Sequence, residues 1–542
     1  MNFGQYLKSF ITHLGVGAIS FLISGKAIAA ERITLNVPPF GQFYVQIDDL
    51  ENFVQTGEAT PELAYYLKRL SPRQVEKLPE LLSTQLEVNP LSIAKFTKST
   101  VGEAVIQNFG KGIRADVGLN GFFALRGAII AAAFDERGLT VMNLLNQFPL
   151  ENIYVDLPVL NQYLKRGATL LRNRDALEEE FFADNEANLN IVNQTPPLEN
   201  LERTGVYKWK KSTKTFRNPR RSQNGYFDLY QPKTELSVPL VIISHGLFSN
   251  RQTFGYLAQH FASYGLAVAV IEHDDISLNK FDHFLSGTEK FPEPNSLIDQ
   301  PLDVKYLIDQ LELESQLNLQ NKYKINFAQI GVIGQSFGGY TSLALAGGGL
   351  IADHFAEECQ PESYRDVLLD LSSLARCTLN ELEDSRFYLR DPRIKAAISI
   401  NPFGKVFGAS GLEKIEIPTM IIAGTQDIFL PPVSEQIKPF TWLNEDLNKY
   451  LVLMKSGTHF SFLREGSEVF PISNNIVGTS PSSAYSALQA LGTAFFKAHL
   501  THEWKYQTYL TNEHIKVLNN NKFQFRLLHS LTELELQKII GK

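Results

Sequence analysis

The second half of the chain alternates between short apolar runs and amphipathic stretches. Each run is nearly continuous in apolar character and rich in β-branched residues, as expected for strands buried on both faces. The stretches between them have helical spacing, for example LDVKYLIDQLE and SSAYSALQALGTAFFKAHL. This alternation predicts a mostly parallel sheet with helices on both sides. The predicted strands are PLVIISHG (239–246), GLAVAVIEH (265–273), AQIGVIG (328–334), IKAAISINP (394–402), PTMIIAGTQD (418–427) and KYLVLMKSGTH (449–459).

The residues before this pattern differ in the spacing of their apolar positions and in composition. After a short extended start at Glu31, the spacing is mainly helical, as in SPRQVEKLPELLSTQL with Ser71 as its cap. Between Asn185 and Thr204 the composition turns polar and includes two adjacent prolines, which indicates a linker. The sequence predicts a mainly helical N-terminal domain with its linker at 30–203, an α/β domain at 204–504 with a cap insertion at about 347–391, and a C-terminal tail at 505–542.

The first residues predict a signal peptide over residues 1–29. Lys8 precedes an apolar stretch, Phe10–Ile23, and Ala27-Ile28-Ala29 supplies small residues at a cleavage spacing. A membrane anchor is the alternative, but the apolar stretch is shorter than the ~20 residues that a spanning helix needs. We therefore expect export to the periplasm or the medium.

The two cysteines, Cys359 and Cys377, are expected to pair, because an exported chain meets an oxidising compartment. Two separate buried thiols are the alternative, since spacing alone does not give their separation. Neither cysteine lies in a CxxC pattern or near histidines at metal spacing, so the sequence predicts no metal site and no cofactor.

The composition narrows the classes of partner. Hydrophobic residues make up 44% of the 542 residues and charged residues 20%, which is typical of a globular protein with a core. The net charge of −7 gives no basic surface, so nucleic-acid binding is excluded. The last segment, LLHSLTELELQKII, predicts a docked helix rather than a membrane-surface helix, because its polar face is not basic. Membrane contact is otherwise unsupported, and the oligomeric state stays open.

One motif carries the candidate chemistry. Gly334-Gln335-Ser336-Phe337-Gly338 follows the strand AQIGVIG and opens a small-residue helix. It matches the G-x-S-x-G nucleophile elbow, a strand-to-helix turn so tight that small residues must flank the serine. The turn presents the hydroxyl and directs the helix N-terminus at the reacting carbonyl. Ser336 is the predicted nucleophile, with a chance glycine-rich turn as the alternative.

A serine nucleophile needs a base and an acid, in the chain order Ser, Asp or Glu, His. His459, in SGTHF, is the histidine after Ser336 that directly follows a predicted strand. Asp427 follows the strand TMIIAG and is the predicted acid that orients the imidazole. Asp391 is the alternative acid, but it precedes its strand and so falls at the opposite edge of the sheet.

The oxyanion is expected to bind the backbone N–H groups of Leu247 and Phe337. Leu247 belongs to the loop after the strand PLVIIS, and Phe337 follows the nucleophile. His245, in the same loop, is interpreted as packing beneath it rather than acting as a second base. The cluster Glu272-His273-Asp274-Asp275 lacks a second ligand set, so it is interpreted as a hydrogen-bonding strand-end loop and not as a metal site.

The combination of SHGLFSN, VIEHDD, GQSFGG and SGTHFSF resembles the platelet-activating-factor acetylhydrolase and dienelactone hydrolase branch of the α/β-hydrolases. It is similar in particular to bacterial predicted hydrolases with an uncharacterised helical N-terminal domain. The resemblance implies an α/β-hydrolase fold and lipid or small-acyl ester substrates, with Ser336 and His459 as nucleophile and base and Leu247 and Phe337 as oxyanion donors. Two features depart from it: the cysteine nucleophile of the dienelactone hydrolases is missing, and the acetylhydrolase acid would fall near Asn401, so Asp427 rests on the wider fold.

The expected function is therefore cleavage of carboxylic esters, similar to 1-alkyl-2-acetylglycerophosphocholine esterase, through a Ser-His-Asp triad and an acyl-enzyme. An acyltransferase, a serine peptidase or an inactive binding protein of the same fold are the alternatives, since the fold does not fix the acceptor or the leaving group. An apolar entrance is predicted from four phenylalanines in candidate cap segments, with packing onto the core as the alternative: Phe281, Phe284, Phe291 and Phe355.

Overall fold

The chain forms two compact units, whose bounds are Met1–Ile93 with Ile106–Asn161 and Ala94–Val105 with Gln162–Lys542. This division differs from the predicted boundary at 203. Residues 1–28 of the predicted signal peptide, Cys359 and most of the predicted cap insertion lie outside the described residues, and so do the four phenylalanines of the predicted entrance, Phe281, Phe284, Phe291 and Phe355. The computed structural model describes residues 29–37, 41–183, 199–276, 280, 283, 295–317, 324–350, 372–377, 388–464, 478 and 480–541.

The first unit contains helices and a five-stranded sheet in the order β2-β1-β5-β3-β4. Its strands are β1 (Arg32–Val37), β2 (Gly41–Gln46), β3 (Ile113–Asp116), β4 (Leu119–Asn120) and β5 (Asn152–Asp156). The helices up to Asn161 are α1 (Ile47–Thr56), α2 (Pro61–Leu67), α3 (Pro72–Ser83), α4 (Pro90–Phe96), α5 (Thr100–Gly112), α6 (Phe122–Phe134) and α7 (Val141–Asn146).

The predicted cap of α3 is confirmed. The Ser71 hydroxyl accepts the N–H of Gln74, and the Gln74 side chain accepts the N–H of Ser71, which forms a capping box. The sheet, in contrast, was not predicted beyond the extended start. Its strand β2 has no buried position and β4 has two residues, so neither produces the apolar alternation that marks a half-buried strand.

The second unit is built on a nine-stranded sheet in the order β14-β13-β12-β11-β10-β8-β9-β7-β6. The six predicted strands correspond to β8–β13, which run parallel to one another. The outer strands β6, β7 and β14 run antiparallel to their neighbours. The strands are β6 (Trp209–Phe216), β7 (Gly225–Pro232), β8 (Val238–Ser244), β9 (Ala267–Ile271), β10 (Ile325–Gln335), β11 (Ile394–Ile400), β12 (Thr419–Gly424), β13 (Lys449–Lys455) and β14 (Gln524–Leu528).

Helices cover both faces of this sheet. One apolar cluster joins Leu307 and Leu343 to one face, and a second joins Phe261 and Phe495 to the other. Because both faces are covered, the central strands are buried along their length, which explains their continuous apolar runs. The helices are α8 (Leu157–Phe182), α9 (Gly255–Ser263), α10 (Ser296–Leu317), α11 (Phe337–Ala346), α12 (Ser372–Cys377), α13 (Gly408–Leu412), α14 (Lys438–Thr441), α15 (Ser482–Leu500), α16 (Asn512–Ile515) and α17 (Glu533–Ile540).

The segment predicted as a C-terminal tail contributes to the sheet and to its core. Strand β14 pairs with β13, and α17 begins at a capping box formed by Thr532 and Glu535. Leu536 and Ile539 of α17 are buried in the core, so the terminal helix is docked as predicted. Within the described ranges, no helix has the length and apolar character needed to cross a bilayer.

Candidate active site

Ser336 stands in a strained turn between β10 and α11. Its φ is +59°, in a region that L-residues rarely adopt. A Cβ at Gly334 would overlap the carbonyl of Gly338, and one at Gly338 would overlap the carbonyl of Ser244. Both glycines are therefore required by close backbone approach. The turn lies at the carboxyl end of β10, where the hydroxyl of Ser336 meets the loops that follow the neighbouring strands.

The structure brings Ser336, His459 and Asp427 into one hydrogen-bonded row. His459 Nε2 lies 3.0 Å from Ser336 Oγ, and His459 Nδ1 lies 2.7 Å from Asp427 Oδ2. Because a carboxylate can only accept, Nδ1 carries the imidazole proton and Nε2 is left to accept the proton of the serine hydroxyl. The three predicted residues thus have the geometry of a nucleophile, a base and an orienting acid.

Hydrogen bonds fix the Asp427 carboxylate on every side. Its Oδ1 accepts the backbone N–H groups of Phe429 and Leu430, both at 2.9 Å, and its Oδ2 accepts Gln436 Nε2 at 2.9 Å as well as His459. The alternative acid, Asp391, is bound instead to the backbone and guanidinium of Arg393. Gln436 was not predicted, because nothing in its local sequence marks it as a partner of Asp427.

Two further side chains hold the loop of His459. Gln335 Nε2 donates to the carbonyl of His459 at 3.1 Å. Asn401 Nδ2 donates to the carbonyl of Thr458 at 3.1 Å, and its Oδ1 accepts the N–H of Gly424 at 3.3 Å. Asn401 is buried and has a φ of +42°, which asparagine tolerates better than most residues. The sequence showed Gln335 only as part of the elbow, and Asn401 only as a departure from the acetylhydrolases.

The two predicted oxyanion donors flank the nucleophile. Phe337 is the first residue of α11, so its N–H has no partner within the helix. The loop of Leu247 passes against the elbow, since a Cβ on Gly246 would lie 2.9 Å from the Ser336 Cβ. Phe248 donates its N–H to Ile276 at 2.8 Å, whereas among the described residues the N–H of Leu247 has no backbone acceptor. The arrangement leaves both predicted amides available for an oxyanion.

His245 lies beneath this loop and contacts backbone groups. Its Nδ1 donates to the carbonyl of Gly246 at 2.9 Å, and its Nε2 accepts the N–H of His273 at 3.0 Å. Burial, together with the neighbouring His273, lowers the pKa of His245 to about 3. A neutral imidazole with both nitrogens engaged supports the loop and is not available as a second base.

Side chains of the acidic cluster 272–275 form ion pairs and hydrogen bonds with neighbouring residues. Glu272 pairs with Arg251 and Asp275 with Arg221. His273 lies between Ser244 Oγ, at 2.9 Å, and Asp303 Oδ2, at 3.4 Å. In the part of the chain that the structure describes, no group of three His, Cys, Asp or Glu side chains could hold a metal ion.

Two half-buried aromatic rings border the imidazole. The ring of Phe429 lies 5.7 Å from that of His459 and 5.2 Å from that of Phe460. Phe460 contacts His459 edge to face at 5.7 Å. This apolar border comes from the loops of Asp427 and His459, whereas the sequence predicted an apolar entrance in the cap segments.

Two protein-family models match separate segments of the chain. Residues 29–156 match the family model described as an alpha/beta hydrolase of unknown function. Residues 228–295 match the model described as platelet-activating factor acetylhydrolase, isoform II. The predicted resemblance is confirmed.

The segments that match differ in what they contain. The acetylhydrolase match includes the loop of Leu247 and the cluster 272–275, while Ser336, Asp427 and His459 lie outside both matches. No curated protein matches the chain. The two family models together support an α/β fold and a hydrolase, and the roles of individual residues rest on the geometry of the site.

Proposed function

We propose that this protein is a serine ester hydrolase. The observation that carries the proposal is the row of hydrogen bonds from Ser336 Oγ to His459 Nε2, at 3.0 Å, and from His459 Nδ1 to Asp427, at 2.7 Å. A serine hydroxyl is a weak nucleophile unless a base in hydrogen-bond reach removes its proton, and this base is oriented by a carboxylate. The hydrolase family matches support the same class of reaction.

The proposed reaction has two steps. Ser336 Oγ attacks the ester carbonyl carbon while His459 takes the hydroxyl proton, and the N–H groups of Leu247 and Phe337 stabilise the oxyanion. The C–O bond to the leaving alcohol then breaks, and His459 returns the proton to that alcohol. Water, deprotonated by His459, attacks the acyl-enzyme and releases the carboxylic acid and the free serine.

We propose lipid or short-acyl esters as the substrate class. The match of residues 228–295 to platelet-activating factor acetylhydrolase supports this assignment. The half-buried rings of Phe429 and Phe460 beside the imidazole support it independently, because they offer apolar surface next to the reacting ester.

The test is hydrolysis of p-nitrophenyl esters by matched variants. Ser336→Ala should lose at least about a thousandfold in kcat while its thermal unfolding stays close to that of the wild type. Ser342→Ala is the control, because this hydroxyl lies in the same helix and donates to the carbonyl of Gly338. Equal activity of the two variants would refute the proposal. Addition of an alcohol or peptide acceptor measures whether transfer competes with hydrolysis.

Export after removal of residues 1–29 remains a proposal, and so does the pairing of Cys359 with Cys377. Cys377 is buried at the end of α12, and no free cysteine occurs among the described residues, which supports the pairing. The pairing would in turn favour export, since disulfides persist in oxidising compartments. Mass spectrometry of the exported protein, with and without reduction, tests the N-terminus and the pairing together. An N-terminus at Met1 would contradict the proposed processing.

A further inference from the structure

Thr425 connects the loop of the acid to the loop of the base. It follows β12 and lies two residues before Asp427. Its N–H donates to the carbonyl of Met454 at 3.0 Å, and its hydroxyl accepts the N–H of Ser456 at 3.0 Å. Met454 ends the buried part of β13, and Ser456 begins the loop that leads to His459. Thr425 therefore contributes to the spacing between the two loops, together with the N–H of Gln426, which donates to the carbonyl of Gly457 at 2.8 Å.

Ser456 needs this partner because its backbone is strained. Its φ is +64°, a conformation that L-residues rarely adopt and that persists only where surrounding contacts hold it. The Thr425 hydroxyl is the acceptor that fixes the Ser456 N–H. A hydroxyl rotates freely unless its own proton has an acceptor, so the orientation of this group depends on where Thr425 donates.

The acceptor for Thr425 comes from a distant helix. Thr425 Oγ1 donates to Glu178 Oε1 at 2.6 Å, across a sequence separation of 247 residues. Hydrogen bonds to a carboxylate are shorter and stronger than those between neutral groups. Thr425 is 2% exposed, so water does not compete freely for its hydroxyl. Glu178 thus fixes the hydroxyl proton and leaves the oxygen lone pairs to Ser456.

The end of α8 is anchored where it presents Glu178. From Gln162 onward the helix belongs to the second unit. Leu177 and Phe182 are buried in the core of that unit, and Arg526 donates to the carbonyl of Phe181 at 2.6 Å. Leu177, Phe181 and Phe182 lie on the same face of the helix as Glu178, so packing of that face directs the carboxylate at Thr425.

From this chain of contacts we infer that Glu178 is a positioning residue for the proposed triad. It acts through Thr425 and Ser456 on the distance between the loops of Asp427 and His459. The inference rests on the proposed ester hydrolase function. Its chemical basis is that productive geometry must be held within about 0.5 Å, so a looser loop lowers the rate of the chemical step more than the binding of substrate.

The experiment measures the rate at which a fluorophosphonate labels the full-length protein, together with kcat and KM for p-nitrophenyl butyrate. Glu178→Ala should lower the labelling rate and kcat by about tenfold and leave KM within about twofold. Glu179→Ala is the matched control, because Glu179 is the neighbour of Glu178 in the same helix and is exposed. Thr425→Val should behave as Glu178→Ala does, and Thr425→Ser, which keeps the hydroxyl, should restore near-wild-type rates.

The combined variants separate positioning from a loss of folding. If Glu178 acts through Thr425, the double variant Glu178→Ala/Thr425→Val is no slower than Thr425→Val alone. Should Glu178→Ala unfold, Glu178→Gln, which keeps an acceptor oxygen but no charge, gives the same comparison with a smaller loss. Labelling of Glu178→Ala at the rate of Glu179→Ala would overturn the inference alone, whereas failure of the wild type to be labelled would overturn the proposed function with it.

Discussion

Replacement of Asp427 by asparagine exchanges one carboxylate oxygen for an amide NH₂ group and leaves the rest of the side chain unchanged. The Oδ1 position accepts two backbone N–H groups, from Phe429 and Leu430, so the amide oxygen of the new residue must occupy it. The amide NH₂ then faces His459 Nδ1 and Gln436 Nε2, and both of these donate to the aspartate. Gln436 also donates to the carbonyl of Leu430 at 2.7 Å, so rotation of its amide would lose that bond.

The consequence for the imidazole follows from this conflict of donors. His459 can satisfy the new NH₂ only with an unprotonated Nδ1, which moves its proton to Nε2 and toward Ser336. The base can then no longer accept the serine proton. We expect kcat to fall about 10⁴-fold, equivalent to ~5 kcal/mol in the barrier. The free energy of unfolding should fall by only about 1–3 kcal/mol, as for one disturbed hydrogen-bonded charge.

The assay is kcat for p-nitrophenyl butyrate, with thermal unfolding as the check on folding. Asp391→Asn is the control, because the same substitution there weakens an ion pair with Arg393 and leaves the hydrogen bonds between Ser336 and His459 intact. It should lose stability and keep kcat. An Asp427→Asn variant that retains more than about a tenth of wild-type kcat, or an Asp391→Asn variant that loses as much activity as Asp427→Asn, would refute this expectation.

Three other predictions concern stability and substrate range. Burial lowers the pKa of His245 to about 3 and the pKa values of His260 and His499 to about 4, so between pH 6.5 and about 4 these groups take up protons only on unfolding. The free energy of unfolding should therefore fall by about 1.4 kcal/mol per pH unit for each group as the pH drops through this interval. A melting temperature that stays unchanged over the interval would contradict this expectation. Asn401→Ala removes the acceptor of the Gly424 N–H and one of the two donors to the carbonyl of Thr458, which keeps the N–H of Ser461. It should lower the free energy of unfolding by about 1–3 kcal/mol, measured by urea titration, and an unchanged free energy would contradict this. Phe429→Ala removes apolar surface beside the imidazole and should raise KM for p-nitrophenyl octanoate more than for the acetate, whereas an equal rise for both would argue against an apolar contact.

The sequence predicted the central sheet well because its strands are buried on both faces. Continuous apolar runs are a strong signal, and each of the six predicted strands is present from β8 to β13. The first unit's sheet gave no such signal, since β2 has no buried residue and β4 has two residues. Strand β14 was missed because it is a five-residue edge strand buried on one face only, so it has no continuous apolar run, and its alternation is too short to stand out in a polar segment.

The candidate site was predictable where local context marks a residue. Ser336, Asp427 and His459 each follow a strand, and chain order assigns their roles. The residues that hold them were not predictable, because a side-chain bond across 247 residues, such as that of Thr425 with Glu178, leaves no local pattern. Asn401 and Gln335 were visible as motif residues, but their bonds to the loop of His459 depend on how three strand ends meet.

The most direct test of the proposed triad is the location of a covalent label. The full-length wild-type protein, treated with a fluorophosphonate and digested, should carry one phosphonyl group on the peptide that contains Ser336, at a rate that Asp427→Asn lowers sharply. A folded wild-type protein that stays unlabelled, or that is labelled at another serine with Ser336 unmodified, would contradict the account.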